Sequence, residues 1–390
     1  MVYLAFPWLA LEITGSATSA GLLVAISAIP GLLLSPIVGA VIDRVGRRKV
    51  AIAGDALAAI CIFIIPLADL LGYLNFAVLV GVGVLRALFA PAGTTARKSL
   101  VADAAREGKM SLERSNSIHE AVFATGFAIG PALSAILIAI LGPTQIFWVT
   151  GAFMLLASGV AMFLRLREDM GENAEQLRTP SLISDTVLGF KAVLKVPVVL
   201  VLLISIMGLA LVYLPTEMVV LPAHFNELGD PASLGIIIST MAGASVFGAL
   251  GYELLDRWLG KRRLFRASIL AIGISMLPMS LLPELWVMLL CGAVLGLAWG
   301  PLMPMLNTVI QTEIDPAMRG RVFAIEMTIW NAAPLISMVL VGFAVDALGV
   351  ALVYLVLSAL VLIGSGVVSG MPATRSLPGP VQNAPAPASR

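Results

Sequence analysis

Long apolar runs alternate with short polar connections along almost the whole chain. A bilayer core of about 30 Å needs about 20 helical residues. Runs of that order predict membrane helices at 18–42, 50–70, 76–96, 117–141, 145–166, 197–222, 232–255, 264–283, 285–308, 322–345 and 350–371. A shorter apolar run opens the chain at 1–13. It rises only about 20 Å at about 1.5 Å per residue, too little to cross. No basic stretch precedes it, so it does not read as a signal peptide. The expectation is that Met1 falls midway through a first helix whose beginning lies upstream; a short, tilted first helix is the alternative. The spans then form two groups of six. The predicted fold is all-α and membrane-integral, with six-helix bundles at 1–166 and 196–371. Between them, 167–195 is a charged linker with an amphipathic helix expected near 185–195. The Pro-, Ala- and Ser-rich tail at 372–390 is expected to be disordered.

Charge orients these helices. Of the 24 Lys and Arg residues, all but Arg86 lie in alternate connections, at 44–49, 97–114, 165–195, 257–266, 319–321 and in the tail. The intervening connections at 13–18, 69–75, 142–145, 223–231, 283–284 and 346–349 carry none. Such a bias marks the cytoplasmic side and predicts that the basic loops and the C-terminus lie there.

Composition narrows the function classes. Hydrophobic residues make up 59% of the chain and charged residues 12%, against about 25% charged in soluble domains. A net charge of +1 makes no case for nucleic acid. Cys61 and Cys291 sit in separate apolar runs and read as packing residues, not as a disulfide or metal pair. With only His119 and His224, no metal site is expected. No G-x-x-x-x-G-K-[ST] motif points to ATP. No Ser-His or Asp-Asp constellation at membrane depth points to an enzyme, and no cofactor is implied.

The two groups of spans repeat. Asp43-Arg44 after the second span recurs as Asp256-Arg257 after the eighth, and Pro91 recurs as Pro304 at the same offset. Each Asp-Arg pair precedes a glycine and a basic cluster, Gly46-Arg47-Arg48-Lys49 and Gly260-Lys261-Arg262-Arg263. A six-helix repeat of this kind is the sequence form of a two-bundle transporter.

Motifs carry the reading further. Gly39, Asp43, Arg44, Gly46, Arg47 and Arg48 match the G-x-x-x-D-R-x-G-R-R signature between helices 2 and 3 of the major facilitator superfamily. Gly126, Gly130 and Pro131 resemble the G-x-x-x-G-P antiporter signature of drug:proton exporters, with Ser134-Ala135 where Gly-Gly usually follows. Arg86 stands where a third motif places a membrane arginine. The runs Phe6-Pro7-Trp8, Thr14-Gly15-Ser16-Ala17, Phe89 to Gly93, Tyr213 to Glu217 and Arg319-Gly320-Arg321-Val322 resemble the actinobacterial Tap-type multidrug efflux pumps, close to the enterobactin-exporter branch. The likeness runs from about residue 3 to 371. It implies a major facilitator fold with pseudo-two-fold symmetry in the bacterial inner (plasma) membrane. It implies a monomeric secondary transporter that exports amphipathic drugs in exchange for protons by alternating access. A specific siderophore or metabolite exporter, or an inactive truncated remnant, are the alternative readings.

Roles follow for particular residues. Asp43 is expected to cap the second helix, and Gly46 to allow a tight turn. The resemblance assigns Asp43 a partner at Arg319 or Arg321, closing the cytoplasmic side, while Arg44, Arg47, Arg48 and Lys49 also anchor the loop. Gly130 and Pro131 are expected to bend the fifth span and bring another helix close. Ionisable groups at membrane depth are costly and usually functional: Arg86, Asp55, Glu120 and Glu217 here. A proton-coupling carboxyl must be ionised in one state and neutral in another. Glu217, far from every basic loop, is the first choice, with Glu120 and Asp55 behind it. Asp55 could instead bind the 44–49 loop. Arg86 could tune a carboxyl or attract an anion. Glu253 and Glu326 read as ion-pair partners of the second Asp-Arg loop and of Arg321. A drug cavity is expected among Phe123, Phe127, Tyr213, Met218, Phe247, Trp299, Met303, Met305 and Trp330, because aromatic and Met surfaces adapt to varied ligands.

Overall fold

The computed structural model describes residues 1–110, 112–163, 190–191, 193–372, 374 and 377, nearly all of them helical. The expected linker at 167–195 and tail at 372–390 lie almost entirely outside these. The first half contributes α1 (Val2–Thr14), α2 (Ala17–Val45), α3 (Arg47–Leu70), α4 (Phe76–Glu107), α5 (Leu112–Leu141) and α6 (Ile146–Phe163). In the second half, α7 (Pro197–Pro215) runs through a π-helical turn (Thr216–Val220) into α8 (Leu221–Glu227). Then come α9 (Pro231–Leu250), α10 (Tyr252–Met279), α11 (Leu285–Trp299), α12 (Leu302–Glu313), α13 (Pro316–Leu348) and α14 (Val350–Gly370). Among the described residues, eight helical stretches are long and apolar enough to cross a membrane, and Val2–Thr14, Ala17–Gly31 and Thr125–Leu141 are shorter apolar helices.

Local chemistry sets the helix ends. Asn75 caps α4 by accepting the N–H of Val78 at 3.0 Å, which satisfies one orphan donor of the first turn. Gly46 separates α2 from α3 with φ 100 and ψ 140, and Gly260 interrupts α10 with φ 75 and ψ 153. Only glycine adopts such angles without strain. The repeated Asp-Arg-Gly segments thus make the same backbone break in both halves. The break in α10 also explains why the expected span at 264–283 begins only after the basic cluster.

Burial follows membrane logic. Large apolar side chains such as Phe163, Leu250 and Ile140 are more than 70% exposed, on a scale that suits lipid and not water. Helices meet instead at small residues, as expected where lipid removes the hydrophobic drive between them.

The chain divides into two compact units. The first holds 1–179, 214–239 and 334–350; the second holds 180–213, 240–333 and 351–390. In the first, α3 packs along α4 and α6, and α2 along α4. Ile42, Val50, Ala51, Ala96 and Leu100 form a buried core joining α2, α3 and α4. A Cβ on Gly54 would lie 2.9 Å from the Cα of Gly93, so α3 and α4 touch backbone to backbone. In the second unit α10 packs along α11. A Cβ on Gly273 would lie 2.8 Å from the Cα of Leu362 on α14.

Candidate functional site

The 43–49 loop does more than anchor topology. Arg47 donates to Asp103 of α4 at 2.9 Å, and the Asp103 side chain has no exposed surface. Arg106 lies 3.8 Å from the other Asp103 oxygen. Arg48 donates to the carbonyls of Ala161 and Met162 at the end of α6. These contacts fasten the start of α3 to α4 and α6. In the second half Lys261 pairs with Asp256 at 2.5 Å and Arg257 with Glu253 at 2.6 Å. The side chains of Asp43 and Glu120 lie outside the described ones, as does any pairing of Asp43 with Arg319 or Arg321. Arg319 donates to the Ile314 carbonyl at 3.0 Å, and Arg321 to the Met318 sulfur at 3.1 Å.

Two carboxyls find different surroundings from those expected. Asp55 pairs with Arg97 of α4, not with the 44–49 loop. The close α3–α4 approach at Gly54 and Gly93 puts Asp55 and Arg97 face to face, whereas Arg47 is eight residues, or about 12 Å, back along the helix. Glu326 is 3% exposed, and its Oε1 has no hydrogen-bond partner among the described residues. It does not pair with Arg321, because five residues on a helix turn the two side chains roughly 140° apart.

Glu217 is a buried carboxyl whose neighbours Tyr3 and Met218 line a cavity. It lies in the π-helical turn that follows Pro215 and is 2% exposed. Proline removes one helical hydrogen bond, and the widened turn beyond it is a geometry frequent at functional sites. The Tyr3 hydroxyl of α1 donates to Glu217 Oε2 at 3.0 Å, while Oε1 has no hydrogen-bond partner among the described residues. Tyr3 is held edge-on against Phe127 of α5, with ring centroids 5.6 Å apart.

Tyr3 and Met218 line a cavity of about 280 Å³ together with Ser27, Gly83 and Arg86. Arg86 Nε and Ser27 Oγ are both out of solvent and without hydrogen-bond partners among the described residues. A Cβ on Gly83 would collide with Ser27, so α2 and α4 meet here. A second cavity of about 650 Å³ is lined by Tyr3, Arg86, the Asp55–Arg97 pair, Gly126 and Gly130. Four residues singled out in the sequence thus converge on one largely apolar cavity: Asp55, Arg86, Gly126 and Gly130.

In the antiporter-like segment a Cβ on Gly130 would lie 3.5 Å from the Met1 nitrogen, in ordinary contact with the start of α1. A Cβ on Gly126 would meet nothing within 4 Å. The close helix contact comes one turn later, where a Cβ on Gly235 of α9 would lie 2.9 Å from the Pro131 carbonyl and clash with Ala135. The N–H of Ala132 donates to Ser239 Oγ of α9 at 2.8 Å. The glycine that permits the crossing belongs to the partner helix.

The aromatic candidates divide. In the second unit Tyr213 stacks on Trp299, with centroids 4.6 Å apart and planes 12° apart, and Trp330 lies 6.2 Å from Trp299. Met303 is half-buried and Met305 fully buried. Phe123 and Phe247 are 64% and 71% exposed, as side chains facing lipid would be. Sequence reasoning missed Tyr3, Ser27, Arg97 and Asp103. Asp103, an acidic residue inside a basic connection three residues from Arg106, carried the only local signal. Among the described residues no group of three or more His, Cys, Asp or Glu could hold a metal ion.

Comparison with known proteins agrees with this architecture. The chain matches the Major Facilitator Superfamily over residues 1–221 and 217–389. It is 33% identical over 377 residues to the multidrug efflux pump Tap of Mycolicibacterium fortuitum, covering 96% of this chain and 92% of that protein. It is 22% identical over 344 residues to macrolide efflux protein A of Streptococcus pyogenes, covering 87% and 84%. The crystal structure of the nucleoside transporter NupG superposes with a TM-score of 0.78 over 97% of this chain and 95% of that one, at 11% identity, a likeness of fold alone. With the match spanning both helical repeats and the Asp-Arg-Gly break present in each, the chain belongs to the Major Facilitator Superfamily.

Proposed function

We propose that this protein exports amphipathic small molecules across the bacterial inner membrane in exchange for protons, as a monomer, by alternating access. The efflux pumps among its relatives support the direction and the substrate class. One observation carries the coupling: Glu217 is buried in a π-helical turn with one oxygen on Tyr3 and the other unpartnered among the described residues, beside the cavity that holds Arg86. A carboxyl in such a place can gain and lose a proton as the cavity wets and dries, and Tyr3 can hand the proton on. Arg86, whose Nε is buried without a hydrogen-bond partner among the described residues, provides positive charge that stabilises the carboxylate left when the proton departs. The basic loops face the cytoplasm, and the membrane potential contributes about 2.3 kcal/mol per charge per 100 mV. Asp43 and the basic residues after it govern closure on the cytoplasmic side, and the Pro131 crossing limits proton leak. Tyr213, Trp299 and Trp330 contribute flat aromatic surface for the exported molecule.

Everted vesicles energised with a proton gradient test this reading. Drugs from a cationic and neutral panel should dissipate the gradient with the wild-type protein and not in empty vesicles. Glu217→Gln, at matched membrane level, should abolish the response. A wild-type response from Glu217→Gln refutes the coupling role, and no response from the wild-type protein refutes proton-coupled export of that panel.

A further inference from the structure

We propose that Asp346 is a latch that holds the non-basic end of this transporter closed by capping the N-terminus of α2. The proposal rests on the exporter reading above only for its consequence, not for its geometry. Asp346 lies in the last turn of α13, in a connection without Lys or Arg. Its Oδ2 accepts from Ser16 Oγ at 2.6 Å and from the N–H of Thr18 at 2.9 Å. Its Oδ1 accepts the N–H of Ala17 at 2.7 Å. Three donors at the start of α2 thus converge on one carboxylate about 330 positions away in the chain.

The cap is unusual in its division of labour. The N-cap residue of a helix ordinarily satisfies the orphan N–H groups of its own first turn. Ser16 keeps part of that role, accepting the N–H of Ser19 at 3.3 Å. The remaining donors go to a helix of the other sequence repeat, and the positive end of the α2 dipole meets a full negative charge. Charge-assisted bonds of this kind are about twice as strong as neutral ones.

The seam beneath the cap is built to close tightly. A Cβ on Gly342 would lie 2.6 Å from the Ala17 carbonyl, and a Cβ on Gly21 would collide with the Met338 carbonyl. Residues 338, 342 and 346 follow one another at four-residue spacing along one face of α13. α2 and α13 therefore run backbone to backbone from the cap inward. Rocking one repeat against the other cannot open this end while the cap and the seam hold. Among the described residues Asp346 bonds to Ser16, Ala17 and Thr18 and lines neither cavity, so it acts as a positioning residue that sets how readily the end opens.

The test reads opening directly. Met338 is 3% exposed at the seam. In a background lacking Cys61 and Cys291, Met338→Cys should react slowly with a membrane-impermeant maleimide added from outside. Adding Asp346→Ala should raise that rate by about tenfold, the shift expected when a closed state loses roughly 1.4 kcal/mol of preference. An unchanged rate overturns the latch. Independently, Ser16→Cys with Asp346→Cys should form a disulfide that stops drug-driven proton flux and releases it on reduction. Failure to cross-link, or full flux while cross-linked, also overturns it. Should the unlinked wild-type protein show no flux at all, the exporter reading falls, and the labelling rates still decide the latch.

Discussion

Arg47→Ala and Asp103→Asn remove opposite halves of one ion pair, and the structure makes their costs unequal. The Asp103 side chain is wholly buried, whereas that of Arg47 retains 32% of its surface. Removing Arg47 strands a buried carboxylate. Breaking a buried pair from one side costs about 3–5 kcal/mol. Arg106, 3.8 Å away, and water at the loop soften this, leaving an expected loss of roughly 2 kcal/mol. Asp103→Asn instead releases a guanidinium that can turn to solvent, and the amide oxygen can still accept from it. Its expected cost is about 1 kcal/mol or less. With the carboxylate gone, deleting Arg47 should matter little, so the double variant should resemble Asp103→Asn alone. Equilibrium unfolding of the four proteins in one detergent closes the cycle. Equal single costs, or additivity within about 0.5 kcal/mol, would refute the reasoning and return Arg47 to a simple loop anchor.

Two further outcomes follow from the site and its crossings. Tyr3→Phe deletes the hydroxyl that donates to Glu217, and should lower drug-driven proton flux about tenfold in everted vesicles while expression and insertion stay unchanged; flux at the wild-type level would separate Tyr3 from the coupling path. Gly235→Val drives a side chain into the Pro131 carbonyl and Ala135 and should cost about 1–3 kcal/mol by overpacking, whereas Gly126→Ala enters open space and should leave the melting temperature unchanged; the reverse order would refute the assignment of the helix contact.

Hydropathy, charge bias and repeat were legible in the chain because each is a local or additive property. An apolar run of membrane length must be helical, since lipid offers its backbone no other partner. A loop's charge decides its side residue by residue. The Asp-Arg-Gly repeat foretold the paired backbone breaks at Gly46 and Gly260, because only glycine tolerates those angles. Glu217 could be singled out for the same kind of reason: a carboxyl in an apolar run is costly wherever it points. Its partner could not. Tyr3 lies 214 positions away, in a segment whose aromatic residues look alike in sequence. In lipid, apolar faces do not distinguish one helix neighbour from another, so crossing points are set by a few small residues, and those decide which polar groups meet. Gly54 and Gly93 bring Asp55 to Arg97; Gly235 brings α9 to Pro131; Gly21 and Gly342 bring Asp346 to the start of α2. The sequence by itself determined the helices and the family. Only the tertiary structure decided which buried charges are paired, because pairing depends on where backbones can approach, and that is a property of two helices at once.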